Sequence, residues 1–148
     1  MIRVLRILAL FIPVILGGFI YVIFRTEKLI MFSWFEYLNL SGKVNVIQNF
    51  RNIFSFPDWF IYSFPDGLWV FSYTAISLEI WKNSINSQNI FWILSIPIVA
   101  IFSEFFQLFK IIPGTFDLFD VIFYFLGIII PYYISTKIIF KSKKHEKT

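Results

Sequence analysis

Cysteine is absent from the 148-residue chain, which removes disulfides, thiolate nucleophiles and cysteine-based metal sites together. Histidine occurs once, as His145 in a polar C-terminal segment, where solvation accounts for it. Histidine-centred acid–base catalysis and HExxH-type zinc chemistry are excluded with it. Charge is scarce as well: 15% of residues are Asp, Glu, Lys or Arg, against about a quarter in soluble domains. No cofactor is expected, and no metal site built on cysteine or histidine.

Apolar residues are what the chain has instead. They make up 58% of it, 21 phenylalanines among them, and mean hydropathy is +0.75. A water-soluble fold of this length has too little interior to hide so much apolar surface. The chain therefore reads as an integral membrane protein. Its net charge of +4 does not point to nucleic acid, because Lys137, Lys141, Lys143, Lys144 and Lys147 crowd into the last stretch, beyond an apolar run. A basic cytoplasmic tail over 141–148, facing membrane lipids, explains them.

About 20 helical residues cross about 30 Å of hydrocarbon, and four segments qualify, at about 7–24, 65–85, 90–112 and 117–140. The predicted fold class is all-α, a single polytopic membrane bundle with four transmembrane helices. A cleaved signal peptide is the alternative for the first segment, but no small-residue cleavage site precedes Arg25. Pro65 suits a first helical turn, Pro97 predicts a kink, and Gly127 and Pro131 are tolerable within a bilayer helix. An even number of spans puts both termini on one side. With the termini inside, Arg3, Arg6, Lys82 and the five tail lysines face the cytoplasm. Arg25, Lys28, Lys43, Arg51 and Lys110 face out, mostly in a long loop where the positive-inside rule is weaker. Trp34, Trp59 and Trp69 then mark the outer interface, and Trp81 and Trp92 the inner one.

The outer loop, 26–64, is too aromatic for a solvated linker. Val44, Ile47, Phe50 and Phe54 recur at helical spacing with Lys43, Gln48, Asn49 and Asn52 between them, which predicts an interfacial amphipathic helix. Ser-Phe-Pro-Asp occurs twice, at 55–58 and 63–66, as turn chemistry rather than a structural repeat.

Ionisable residues inside spans are costly and so need a reason. Glu104 lies roughly 12 Å inside the predicted end of its helix, with Gln107 on the same face. Interhelical hydrogen bonding is one reason; cation or proton chemistry is another. Asp117 fits a helix N-cap after the turn at 112–115, whereas Asp120 adds little as a cap and aligns with Tyr124 and Gly127. The span directions bring Glu104, Gln107, Asp117 and Asp120 into the outer half of one hairpin, with Asp66 and Trp69 at the same level. One polar cluster near the outer leaflet is expected.

Glu104-Phe-Phe-Gln107, then residues 113–120 reading Pro-Gly-Thr-Phe-Asp-Leu-Phe-Asp, then Gly127, resemble the VanZ-like family of small bacterial membrane proteins. The resemblance covers about residues 95–131. That family's pattern is Glu-x-x-Gln, a turn usually reading Gly-Arg-Ser/Thr-Phe-Asp, Asp three residues later, then Asn and Gly. Here the turn lacks the arginine, and Tyr124 stands where asparagine is expected. The resemblance implies a bacterial inner-membrane protein acting near the cell envelope. The family name comes from a glycopeptide-resistance association and carries no settled catalytic activity.

The candidate polar pocket comprises Asp66, Trp69, Glu104, Gln107, Thr115, Asp117, Asp120 and Tyr124. Three functions suit it. The first is a non-enzymatic contact with a lipid or lipid-linked cell-wall precursor. The second is an intramembrane metal-dependent enzyme with the carboxylates as ligands, although no Walker loop, nucleophile elbow or phosphatase-like set accompanies them. The third is an ion-coupled carrier built on Glu104, which would need an oligomer.

Overall fold

In hydrocarbon a chain must satisfy its backbone polar groups internally, which long apolar runs achieve as helices. The computed structural model describes residues 2–26, 29–52 and 55–145, and every regular element among them is helical. Helix α1 (Ile2–Ala9) leads into α2 (Ile12–Phe24), and two short helices follow, α3 (Ile30–Tyr37) and α4 (Ser41–Gln48). Next come α5 (Asp58–Tyr62), α6 (Phe64–Ile80), α7 (Ile90–Leu108) and α8 (Leu118–His145). Among the described residues three segments are long and apolar enough to cross a membrane: Val4–Phe24, Ile90–Leu108 and Leu118–Lys137.

The predicted boundaries shift for identifiable reasons. Pro13 has no N–H to give the Ala9 carbonyl, so the rod breaks at Leu10 and Phe11, whose N–H groups bond to Arg6, Ile7 and Leu8 instead. Helix α6 stops at Ile80 rather than residue 85. There the Asn83 N–H donates to the Leu78 carbonyl at 2.7 Å, while Lys82 adopts φ +51°. Helix α7 stops at Leu108 rather than 112 in the same way: the Ile111 N–H reaches the Phe106 carbonyl at 2.8 Å, past Lys110 at φ +57°. Both are Schellman stops, with lysine in the left-handed position that glycine usually takes. With 17 residues, α6 rises about 25 Å, short of the full hydrocarbon thickness. At its other end only Ser63 separates it from α5. Ser63 donates its N–H to Trp59 and accepts from the Gly67 N–H, so residues 58–80 form a nearly continuous rod.

Helix α6 is the hub, packed most extensively on α8, then on α2 and α7. Small residues make this possible, as they do at close helix crossings in membranes. A methyl group at Gly67 would come within 2.7 Å of Phe123 Cβ, and one at Gly127 within 2.9 Å of both the Gly67 carbonyl oxygen and the Phe71 nitrogen. The α2–α6 crossing is tight at Gly17, against Pro65 and Trp69. Gly17 faces the start of α6, whereas Arg6, Ala9 and Leu10 share a 240 Å³ cavity with Leu78, Glu79 and Ser135. Helices α2 and α6 are therefore antiparallel. α6 and α8 are parallel, and the Arg6 end of the chain lies beside the C-terminal half of α8.

The tail end is knitted by asparagines. Asn86 accepts from the Gln88 and Asn89 N–H groups, Asn89 accepts from the Asn86 N–H, and Asn89 Nδ2 donates to the Ser84 carbonyl. Before the Pro97 turn of α7, the Tyr73 hydroxyl bonds to the Trp92 carbonyl and lies 2.8 Å from Ser95 Oγ.

The helix within 26–64 differs from the predicted amphipathic stripe. It ends at Gln48 and passes into a 3₁₀ turn at Asn49–Asn52. Gln48, assigned by periodicity to a polar face, is buried and donates to the Val22 and Arg25 carbonyls at the end of α2. Those are orphan helix-end acceptors, which explains the burial of an amide there. Phe54, Lys28 and Lys147 lie outside the described residues. Both Ser-Phe-Pro-Asp copies start helices, Pro57 and Asp58 at α5 and Ser63 to Asp66 at α6. The predicted basic tail opens as helix, since α8 continues to His145.

Candidate functional site

Five of the expected residues converge where α6 and α8 begin and α7 ends. Asp117 precedes α8 and caps it, its Oδ1 accepting from the Phe119 N–H at 2.8 Å. The Asp117 N–H in turn donates to Glu104 Oε2 at 3.2 Å. Glu104 is 3% exposed and thus latches α7 to the start of α8. Because α7 ends at Leu108, Glu104 lies about 6 Å from the helix end, half the depth that a helix reaching 112 would give. Its observed partner is the Asp117 backbone rather than Asp120.

Asp66, in the first turn of α6, lies close enough to Asp120 and Glu104 for electrostatic interaction, and Tyr124 interacts with all three. Tyr124, one turn after Asp120 on α8, is 7% exposed.

The site's cation escapes the sequence reading. Arg25, just past α2, lies within electrostatic range of Asp66 and Asp120. Its guanidinium carbon sits 4.8 Å from the ring centroid of Tyr21 and 4.6 Å from that of Tyr62, two cation–π contacts that fix its position. The available signal was Tyr21, four residues earlier on the same helical face. Ser63, which the sequence reading used only as turn chemistry, is fully buried with its hydroxyl facing the Asp120 carboxyl.

Among the described residues five buried side-chain polar atoms lack a partner, and three of them are Arg25 Nε, Ser63 Oγ and Asp120 Oδ1. Buried polar groups are paired in the great majority of cases, so three orphans in one cluster mark unmet hydrogen-bonding capacity. Among the described residues no three acidic or histidine side chains are arranged to hold a metal ion.

The other expected members make their own contacts beside this group. Trp69 turns toward α2, donating from Nε1 to the Val14 carbonyl at 3.3 Å and packing on Tyr21 at 5.4 Å between ring centroids. Gln107 folds over the α7–α8 turn, and a Cβ on Gly114, at φ +137°, would strike its side chain at 2.6 Å. Thr115 is exposed on that turn.

Aromatic rings wall the site's flank. Phe56, Phe60 and Phe64 stack in series, and Trp59 stacks on Phe123 at 5.8 Å. Beside the cluster, α2, α3 and α4 enclose a groove of about 510 Å³ that reaches Tyr21 and Trp69. No family model, curated protein or solved structure matches the chain.

Proposed function

We propose that the chain is a VanZ-like integral membrane protein of the bacterial cell envelope that contacts a lipid or lipid-linked envelope precursor through its Arg25–acid cluster. In this reading α2, the 58–80 rod, α7 and α8 form four spans with both termini inside, and the cluster faces the outer leaflet. Helices α3 and α4 then lie along the outer surface. The observation that carries the reading is the set of unpartnered buried atoms, Arg25 Nε, Ser63 Oγ and Asp120 Oδ1, gathered at one end of an apolar bundle. A cation flanked by carboxylates offers both a donor fork and acceptors, which suits a polar headgroup more than a bare ion. Arg25 also supplies, from another helix, the positive charge missing from the α7–α8 turn.

The test is photo-crosslinking from position 115, which is exposed beside the cluster, in native membranes. We expect lipid adducts, reduced several-fold by Asp120→Asn or Arg25→Gln at unchanged protein abundance. Adducts to protein alone, or lipid capture indifferent to both substitutions, overturn the reading.

A further inference from the structure

The groove beside the cluster has a composition of its own. Its walls are Ile15, Phe19 and Val22 of α2, Met31 and Phe35 of α3, and Val44 and Ile47 of α4, with Trp69 and Tyr21 toward the cluster. The charged residue on its lining is Lys43. Gly18 opens the α2 side: a Cβ there meets nothing within 4 Å, unlike Gly17 one residue earlier. Trp69 Nε1 is already bonded to the Val14 carbonyl, so the indole presents hydrocarbon to the groove. Arg25 sits over Tyr21, placing a second cation behind the same wall.

An apolar slot with a cation on its lining and another behind its tyrosine has the charge pattern of a phospholipid seat. We infer that this groove holds one acyl chain of an anionic glycerophospholipid, with the headgroup phosphate against Lys43 and on the Arg25 side of Tyr21. This rests on the lipid-contact reading and deepens it by naming where the hydrocarbon goes. The chain lies between α2 and the short helices that cover it. The headgroup then stands on the side of the slot that faces Arg25 and the acid cluster. A nonpolar partner helix needs no cation on the slot, and a soluble anion needs no slot; the phospholipid uses both features. Lys43 is the selectivity element because an ammonium attracts a phosphate carrying net negative charge more than one balanced by its own amine.

The probe is a phosphatidylglycerol bearing a diazirine in one acyl chain, incorporated into nanodiscs with the full-length protein, with adducts mapped by peptide mass spectrometry. We expect adducts concentrated on residues 15–22 and 31–47, well above those on the exposed face of α7, which reports ordinary annular lipid. Gly18→Phe adds a ring to the slot from a position where a Cβ meets nothing within 4 Å, and should abolish the groove adducts while leaving the α7 adducts unchanged. Lys43→Glu should remove the preference for phosphatidylglycerol over a phosphatidylethanolamine carrying the same diazirine chain. Thermal melting of each variant establishes that it is folded. Groove adducts no denser than those on α7, or unaffected by Gly18→Phe in a folded protein, overturn the inference. Lipid capture at position 115 together with an empty groove overturns the acyl seat alone and leaves the cluster reading standing. Groove adducts that persist when position 115 captures only protein support the seat and overturn the cluster's role.

Discussion

Replacing Gly127 with alanine tests the claim that close backbone approach holds the hub together. The added methyl would lie 2.9 Å from the Gly67 carbonyl oxygen, 2.9 Å from the Phe71 nitrogen and 3.0 Å from Val70 Cγ1. Ordinary contact begins at 3.4 Å, and two of these three atoms are backbone, so no side chain can swing aside. Helices α6 and α8 must therefore part by about 0.5 Å, a gap that forfeits about a quarter of each affected dispersion contact. Overpacking of this kind costs typically about 1–3 kcal/mol. Alanine recovers up to about 1 kcal/mol in helix propensity. A net loss of up to about 2 kcal/mol remains, as much as a roughly thirtyfold shift in the folding equilibrium. Gly18→Ala is the matched control, since its methyl meets nothing within 4 Å and only the propensity gain applies. Equilibrium unfolding in mixed micelles should thus show Gly127→Ala destabilised and Gly18→Ala unchanged or stabilised. Equal behaviour of the two variants would refute glycine-mediated crossing as the reason for this packing.

Glu104→Gln retains an oxygen for the Asp117 N–H and should cost less than about 1 kcal/mol, whereas Glu104→Leu leaves that N–H unpaired and should cost about 1–3 kcal/mol; thermal melts of both variants decide. Of the two, the Gln variant at normal abundance should still lose lipid capture at position 115, and full capture would reduce Glu104 to a structural latch. Arg25→Met removes the cluster's cation and should destabilise the protein, with Asp120→Asn restoring much of the loss; a double-mutant cycle showing strict additivity would contradict their coupling. Lys110→Gly relieves a left-handed lysine and should stabilise by about 1 kcal/mol, measured as a rise in melting temperature. Reporter fusions after Lys141 and within 81–89 should read cytoplasm, and one near Lys43 the outside; a cytoplasmic signal near Lys43 would reverse the proposed orientation.

Apolar runs made the first, third and fourth segments legible, because length and hydropathy alone define a crossing helix. Their ends were not legible. Lys82 and Lys110 carry no stop signal in their chemistry, and only the backbone bonds from Asn83 to Leu78 and from Ile111 to Phe106 reveal where the helices turn off. The convergence of Asp66, Glu104 and Asp120 followed from helix direction, which places residues at a level but not on a face. For that reason Trp69, Gln107 and Thr115 were grouped with acids they do not join. Arg25 was read as one of the outward-facing basic residues, and its position depends on two tyrosines, one of them 37 residues away in α5. Gln48 shows the same limit: periodicity gave it to solvent, while the unpaired carbonyls of α2 drew it inward.

The stop at Lys110 also sets how the protein fits its surroundings. Helix α7, cut to 19 residues, is about 28 Å long, a little less than a typical hydrocarbon core. Hydrophobic mismatch of this kind is met by thinning the bilayer locally, at fractions of a kcal/mol per ångström. Lipids beside α7 would then be compressed relative to bulk. The protein should partition toward thinner membranes, and its stability should rise as acyl chains in the host bilayer are shortened.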